Sequence, residues 1–280
     1  MTQLTPQRYK QRDFFVADFR DISIKDDLPS MEHPMFALRP GDKRVRRYEK
    51  NGHKVEVQPG TKGLATIHDK DIWIYCISQL VEAINLGRED ISRVVQFTAY
   101  DFLVATSRSS SGRSYQRMAD ALGRLSGTRI ETNIATGNQK ERAGFGLIDA
   151  WRVIEAGPNN QMLAIEVTLP DWLYRSVLEK RVLTLSPKYF RIRKPLDRRL
   201  YELARKHCGH QSRWKVSLEV LHHKSGSAAS RREFRRSLRM LTEANELPDY
   251  KWTFNAADDM VTVYSKKSLG QRRELRDLFG

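Results

Sequence analysis

Two stretches of this sequence align without gaps at a constant offset of 119 residues, and each is a serine-rich turn followed by a helical pattern. The turns lie at 107–112 and 225–230, and helices are predicted to follow them at 113–125 and 231–244. The aligned pairs are Arg113 with Arg232, Tyr115 with Phe234, Arg117 with Arg236, Ala119 with Leu238, and Leu122 with Leu241. Amphipathic helices also resemble one another by chance, but similarity at a fixed offset indicates two copies of one unit.

Helical geometry supports the repeat. At about 100° per residue, each predicted helix carries an apolar stripe on one side and a guanidinium-rich face on the other. The stripes are Phe234, Leu238 and Leu241 in the second helix and Tyr115, Ala119 and Leu122 in the first. Residues 231–239 hold five arginines and one acid, a crowding that phosphates would relieve. A solvated helix surface is the alternative interpretation.

The outward faces of the two helices are the predicted DNA-binding sites. Arginine forks a guanine or clamps a phosphate, and glutamine pairs with adenine, so these side chains suit the major groove. The candidates in the second repeat are Ser230, Arg231, Arg232, Arg235, Arg236 and Arg239. Those in the first repeat are Ser110, Ser111, Arg113, Gln116, Arg117 and Arg124. Asp120 either accepts a hydrogen bond from cytosine or pairs with Arg117 or Arg124 along the helix.

The second helix is expected to carry more of the base discrimination. Its arginine arc contains no acid, whereas Asp120 lies within the arc of the first helix. Arg235 and Arg236 are therefore the predicted guanine readers. Arg113 and Arg117 are the predicted phosphate contacts. Their loss should weaken binding to specific and random DNA about equally.

The charge balance limits the classes of partner. A formal net charge of +15 and a pI of about 9.9 indicate a polyanion, either nucleic acid or an anionic membrane surface. A solvated basic protein without such a partner is the alternative. The sequence has no apolar run near the roughly 20 residues of a membrane span, no signal-peptide core, and two cysteines, Cys76 and Cys208. We therefore expect a cytoplasmic protein with no membrane attachment and no disulfide framework.

The order of the remaining patterns predicts an α+β fold of two tandem winged-helix domains, each a helix-turn-helix with a β wing. Further helices are predicted at 69–86, 99–106, from 171, at 195–209 and at 214–223. Strands are predicted at 94–98, 128–134, 146–155 and 162–169, with hairpins turning at Asn51-Gly52, Gly157-Pro158 and 255–259. The predicted domains are a polar arm at 1–30, a first winged helix at 31–186, a second at 187–268, and a basic tail at 269–280.

Motifs for catalysis and metal binding are absent from the sequence. The nearby residues His207, Cys208, His210, His222 and His223 have a spacing that fits no standard zinc finger. No G-x-x-x-x-G-K-[ST] phosphate loop occurs, and His222-His223 lacks the His-apolar-His arrangement of rolling-circle nickases. We therefore expect no enzyme activity, no cofactor and no metal.

Three stretches resemble replication initiators of iteron-type plasmids, the family called replication initiator protein A. They are LVATSRSSSGRSYQRMADALGRLSGTRIET, LPDWLYRSVLEKRVLTLSPKYFRI, and PLDRRLYELARKHCG with the arginine-rich helix after it. The resemblance implies two winged helices on successive turns of a directly repeated DNA site, origin melting with a host replication initiator and helicase, and autorepression by dimers. It implies that the second domain reads bases more strongly while the first also serves dimerisation. The long β content at 128–169 departs from the family pattern.

Three functions from different classes therefore compete. One is a plasmid initiator that binds DNA without catalysis, one is a transcriptional repressor with the same DNA chemistry, and one is a DNA nickase or relaxase. A basic protein of the membrane surface is disfavoured, because the arginine helices lack the wide apolar face that such helices use.

Overall fold

The structure, a computed structural model, describes residues 22–50, 53–133, 135–136, 139–140, 143–156 and 161–279. Its helices are α1 (Leu28–Glu32), α2 (Lys70–Asn85), α3 (Ala99–Ala105), α4 (Gly112–Gly127), α5 (Asp171–Leu178), α6 (Pro195–His207), α7 (Leu218–Ser225), α8 (Arg231–Ala244) and α9 (Ser268–Phe279), with a 3-10 turn at Tyr189–Arg191. Its strands are β1 (Lys25–Asp27), β2 (Arg46–Lys50), β3 (His53–Gln58), β4 (Val94–Phe97), β5 (Arg129–Thr132), β6 (Ala135–Thr136), β7 (Gln139–Lys140), β8 (Ala143–Gly146), β9 (Ala150–Ala156), β10 (Gln161–Thr168), β11 (Val182–Thr184), β12 (Arg213–Ser217), β13 (Tyr250–Asn255) and β14 (Met260–Ser265).

The described residues form two compact units. The N-terminal unit contains the residues up to Asp27 together with Arg39–Thr184, and the C-terminal unit contains Leu28–Leu38 together with the residues from Leu185 onward. The predicted turns at Asn51-Gly52 and Gly157-Pro158, and most of the predicted arm, lie outside the described residues.

The C-terminal unit is a winged helix. Its antiparallel sheet has the strand order β12-β14-β13, α7 packs against α6 and α8, and α9 packs along β14. The predicted basic tail is thus a helix of this unit. Its buried core includes Leu200, Leu203, Phe234, Leu238, Trp252, Val261 and Val263.

The predicted helix at 214–223 is wrong in its first half, which forms β12. Trp214 and Val216 alternate with polar residues, and this spacing places both on one face of a strand. The Ser217 hydroxyl then accepts a hydrogen bond from the backbone at the first turn of α7, so the helix begins only after it.

Helix α8 confirms the predicted bounds. Ser230 and Glu233 form a capping box, in which the Ser230 hydroxyl accepts from Glu233 N and the Glu233 carboxylate accepts from Ser230 N. Asn245, left-handed at φ 49°, ends the helix. The predicted stripe of Phe234, Leu238 and Leu241 is buried, and the Phe234 ring stacks on His222 with 4.5 Å between centroids.

Residues 28–38 belong to the C-terminal unit. Arg199 is 2% exposed and donates hydrogen bonds to the carbonyl oxygens of Ser30 and Glu32. A polar arm ending at 30 and a first domain starting at 31 do not describe this segment. The acceptors for Arg199 are backbone carbonyls, which the sequence pattern does not reveal.

Two ammonium groups hold the α1 carboxylate. The Glu32 oxygens lie 2.9 Å from Lys206 Nζ and 2.5 Å from Lys224 Nζ. Burial alone raises the pKa of Glu32, but hydrogen bonds from Lys224 and Lys206 outweigh it and hold that pKa well below the ordinary value of 4.5. The ionised carboxylate therefore stabilises the folded C-terminal unit.

The N-terminal unit repeats the winged-helix plan. Its antiparallel sheet has the order β4-β10-β9, and α2 is buried on nearly every side. The rings of Tyr75, Phe97 and Phe102 form a cluster with centroid separations of 4.9, 5.6 and 5.9 Å.

A buried ion pair holds β1 in this unit. Lys70 Nζ lies 2.6 Å from Asp26 Oδ2, and neither side chain is exposed, while β1 pairs antiparallel with β11. Removing one partner of such a pair leaves an uncompensated buried charge. Among the described residues, a strand is thus present at Lys25–Asp27, inside the stretch predicted as a polar arm.

A second sheet, here called the inserted sheet, has the order β2-β3-β5-β8. Strands β5 and β8 lie between α4 and the wing strand β9 in the chain, whereas β2 and β3 precede α2. The predicted strand at 146–155 starts at the last residue of β8, is interrupted by a bend at 147–149, and continues as β9 in the other sheet. A Cβ on Gly146 would lie 2.6 Å from the Ile148 carbonyl oxygen, so the close approach between them requires glycine. In the predicted hairpin, Lys50 pairs with His53.

The buried face of α4 differs from the predicted stripe. The buried residues are Met118, Ala121, Leu122 and Leu125, whereas Tyr115 and Ala119 are half-buried. Helix α4 packs against β8 as well as β9, so the inserted sheet draws a different side of the helix into the core.

Phe234→Ala is expected to destabilise the C-terminal unit by about 3–5 kcal/mol, because it removes a fully buried ring and leaves a cavity. Met240→Ala is the matched control, since Met240 lies on the same helix but is 53% exposed and should change stability by less than about 0.5 kcal/mol. Urea unfolding followed by tryptophan fluorescence measures both. Equal effects would contradict the burial described.

Glu32→Gln is expected to lower stability most near neutral pH. A depressed carboxyl pKa contributes stability that is present above the unfolded value near 4.5 and is lost as the pH falls through the folded value. The difference in melting temperature between wild type and variant should therefore shrink below about pH 4. Glu243→Gln removes an exposed carboxylate as the control. A difference that is constant from pH 7 to pH 3 would contradict the assignment.

Candidate nucleic-acid interface

The offset seen in the sequence is a structural repeat. Strands β4 and β12 begin at 94 and 213, helices α3 and α7 at 99 and 218, and helices α4 and α8 at 112 and 231, each pair 119 residues apart. In both units the first strand of this set pairs with the second wing strand, which is the middle strand of its sheet. Helices α4 and α8 are therefore equivalent recognition helices of two helix-turn-helix motifs.

Helix α8 presents a face of exposed cations. Arg232, Arg236 and Arg239 are exposed, and no carboxylate among the described residues pairs with them. Arg231 lies 2.9 Å from Asp259 Oδ2 but keeps 60% of its side chain exposed. The guanidinium groups point away from the apolar stripe, as the helical spacing predicts.

Arg235 has a different environment from its neighbours. Its Nη2 lies 2.8 Å from Asp259 Oδ1 and donates to the Ala256 carbonyl at 2.6 Å. Its guanidinium carbon lies 5.5 Å from the Phe254 ring centroid. Arg235 is therefore held against the wing, although the sequence predicts it as a guanine reader.

Helix α4 exposes Arg113, Gln116 and Arg117. Asp120, for which two roles stayed open, lies 3.0 Å from Lys62 Nζ in the segment before α2. The hydrogen bond from Lys62 lowers the pKa of Asp120, and the charge of Arg124 adds to the effect. The sequence did not reveal this partner, because Lys62 is 58 residues away.

Arg124 lies apart from the exposed arginines of α4. Its Nε and Nη2 each donate to the Asp69 carboxylate at 2.8 Å. The bond to Asp69 raises the pKa of Arg124 above its already high value. This bidentate pair joins α4 to the start of α2, so the guanidinium that the sequence predicts as a DNA contact is engaged within the protein.

The candidate serines lie at the starts of the recognition helices. Ser230 is the capping residue of α8, and its hydroxyl is engaged with Glu233. Ser110 and Ser111 are exposed before α4, and Ser111 Oγ lies 3.2 Å from Ser114 Oγ. Backbone N–H groups at such helix starts attract phosphate oxygens.

The histidine and cysteine residues weighed for zinc do not converge. His207 stacks on Trp214 with 4.7 Å between centroids, His222 stacks on Phe234, and Cys208 is buried at the end of α6. Within the described ranges no group of three potential ligands forms a metal site. Among the same residues, no helix is long and apolar enough to span a membrane.

Two winged helices, each with exposed arginines on its recognition helix, define a DNA-binding protein of the tandem winged-helix class. The sequence matches the family described as Replication initiator protein A over residues 25–252. It is 45% identical over 261 residues to a protein of Wigglesworthia glossinidia brevipalpis that is provisionally named a replication protein, across 92% of this chain and 94% of that one. This chain therefore belongs to the replication initiator protein A family, which confirms the resemblance, and it is a replication initiator.

Two crystal structures share the fold. A selenomethionine derivative of domains 2 and 3 of RctB has a TM-score of 0.59 at 12% identity, covering 85% of this chain and 97% of that chain. A second structure of RctB domains 2–3 has a TM-score of 0.51 at 13% identity, covering 84% and 95%. The predicted α+β fold of two tandem winged helices is confirmed.

Proposed function

We propose that this initiator acts at a plasmid origin by binding directly repeated sites with both winged helices of one chain. The observation that carries the proposal is the structural repeat, because it provides two recognition helices with exposed arginines. Recognition helices read half-sites about one helical turn apart. A chain with two of them suits a repeat of about two turns, or ~20 bp.

Helices α8 and α4 are proposed to make different contacts with DNA, to bases and to phosphates respectively. Arg232, Arg236 and Arg239 form a face without a paired carboxylate among the described residues, which suits base reading. Arg113 and Arg117 are exposed on the helix that also carries Asp120, and we assign them to phosphates, which every DNA sequence presents alike. Arg235 is not proposed to read a base, because its guanidinium contacts the wing.

The wider role in replication is also proposed. Initiators bound to several repeats help open the origin with a host replication initiator and helicase, and dimers repress the gene of the initiator itself. The protein works in the cytoplasm and supplies no catalytic step of its own. Family membership supports the replication role, and the net charge of +15 supports binding to a polyanion such as DNA.

Footprinting on the DNA that flanks this gene tests the proposal. We expect each chain to protect about 20 bp in two successive major grooves. The logarithm of affinity should fall by several units per decade of salt, because each neutralised phosphate releases counterion. Protection of ~10 bp per chain would mean that one helix alone reads DNA. A flat salt dependence would contradict DNA binding through these arginines.

Arg232→Ala or Arg236→Ala is expected to cost about 1–3 kcal/mol on the specific site and much less on random DNA, the signature of a base contact. Arg113→Ala and Arg117→Ala are the comparison variants, and they should weaken both DNAs evenly, as phosphate contacts do. Affinities of folded variants at one salt concentration measure this. If the α8 variants keep the specificity ratio while the α4 variants lose it, the roles are reversed.

A further inference from the structure

One carboxylate of the wing of the C-terminal unit pairs with two arginines of the recognition helix. Asp259, in the turn between β13 and β14, lies 2.9 Å from Arg231 Nη2 and 2.8 Å from Arg235 Nη2. These arginines occupy the first two turns of α8, so a single wing residue neutralises two cations of the recognition helix.

Asp259 is itself held in place by the backbone. Its φ of 54° is left-handed, a conformation that Asp and Asn adopt more easily than most residues. Its carbonyl oxygen accepts a hydrogen bond from Leu218 N at 2.8 Å, at the start of α7. The turn is thus joined to both helices of the helix-turn-helix, to α7 by its backbone and to α8 by its side chain.

Arg235 completes this joint from the helix side. Only 33% of its side chain is exposed, and it contacts three wing residues through an ion pair, a hydrogen bond and a ring. A guanidinium with three simultaneous contacts loses much of its rotamer freedom before DNA arrives. It therefore fixes the wing relative to α8.

We propose that Asp259 and Arg235 are positioning residues that set the wing of the C-terminal unit at the spacing at which wing and α8 engage one duplex together. The inference rests on the proposed DNA-binding role of α8. Preorganisation increases affinity by removing an ordering cost that would otherwise be met on binding. The benefit applies to the site where helix and wing both fit, and random DNA gains little from it.

A positioning role and simple electrostatics predict opposite effects of Asp259→Asn on affinity for the specific site. Asp259→Asn removes a negative charge beside the DNA surface, so charge alone would tighten binding to every DNA. Loss of the positioning pair should instead weaken the specific complex by about tenfold, as expected when a preorganised charged contact is lost. Binding to random DNA should stay unchanged or become slightly tighter. Asparagine is chosen because it tolerates the left-handed backbone.

Two further variants separate position from charge. Asp258→Asn removes the same charge one residue away, at an exposed turn position, and should tighten both DNAs slightly. Arg235→Lys keeps the net charge but loses the planar fork, and it should weaken the specific complex as Asp259→Asn does. The double variant of Asp259→Asn and Arg235→Lys should bind the specific site no more weakly than either single variant, because both substitutions break the same contact between wing and helix.

Specific and random affinities, hydroxyl-radical footprints and melting temperatures of the full chain give the readout. We expect Asp259→Asn to lose protection by the wing while protection by α8 remains. Equal tightening by Asp259→Asn and Asp258→Asn would overturn the positioning role and leave DNA binding intact. Equal weakening on both DNAs with a large drop in melting temperature would also overturn it, because that result indicates general destabilisation. Failure of the proposed function itself would appear as unchanged binding in Arg236→Ala.

Discussion

Burial of Phe234, Leu238 and Leu241 on one side of α8 is the interaction on which the DNA-facing surface depends. The three side chains fix the rotation of the helix about its axis, and this rotation decides which arginines face solvent. Helix α8 is anchored by this narrow stripe, so most of its circumference stays available. Helix α4 packs under the inserted sheet as well, and more of its surface is occupied by the protein itself.

The charge pattern of α8 is unfavourable in isolation. The run of five arginines starts in the first turn of the helix. This turn is the positive end of the helix macrodipole, where cations are disfavoured. Glu233 in the capping box and Asp259 in the wing offset part of this repulsion. The other three arginines form no ion pair with a carboxylate of the described residues. DNA phosphates would supply the missing negative charge, so the repulsion among these arginines is relieved when the helix binds DNA.

Arginine serves two separate purposes in this chain. Arg124 pairs with Asp69 and Arg108 with the fully buried Asp71, and both pairs hold elements of the N-terminal unit together. Arg232 and Arg236 remain exposed. The residue type is the same in each case, and only the presence of a carboxylate at the right distance separates a structural arginine from one available to DNA.

What the sequence determined by itself is local or periodic. The bounds of α8, its buried stripe, the wing hairpin and the repeat at 119 residues follow from spacing, capping and alternation, which act within a few turns of chain. Tertiary structure alone decided that Arg235 holds the wing, that Lys62 pairs with Asp120, that Lys70 buries Asp26, and that residues 28–38 join the C-terminal unit. These contacts join positions distant in the chain or depend on backbone carbonyls. Their energy comes from proximity in the folded protein, and sequence spacing carries no record of it.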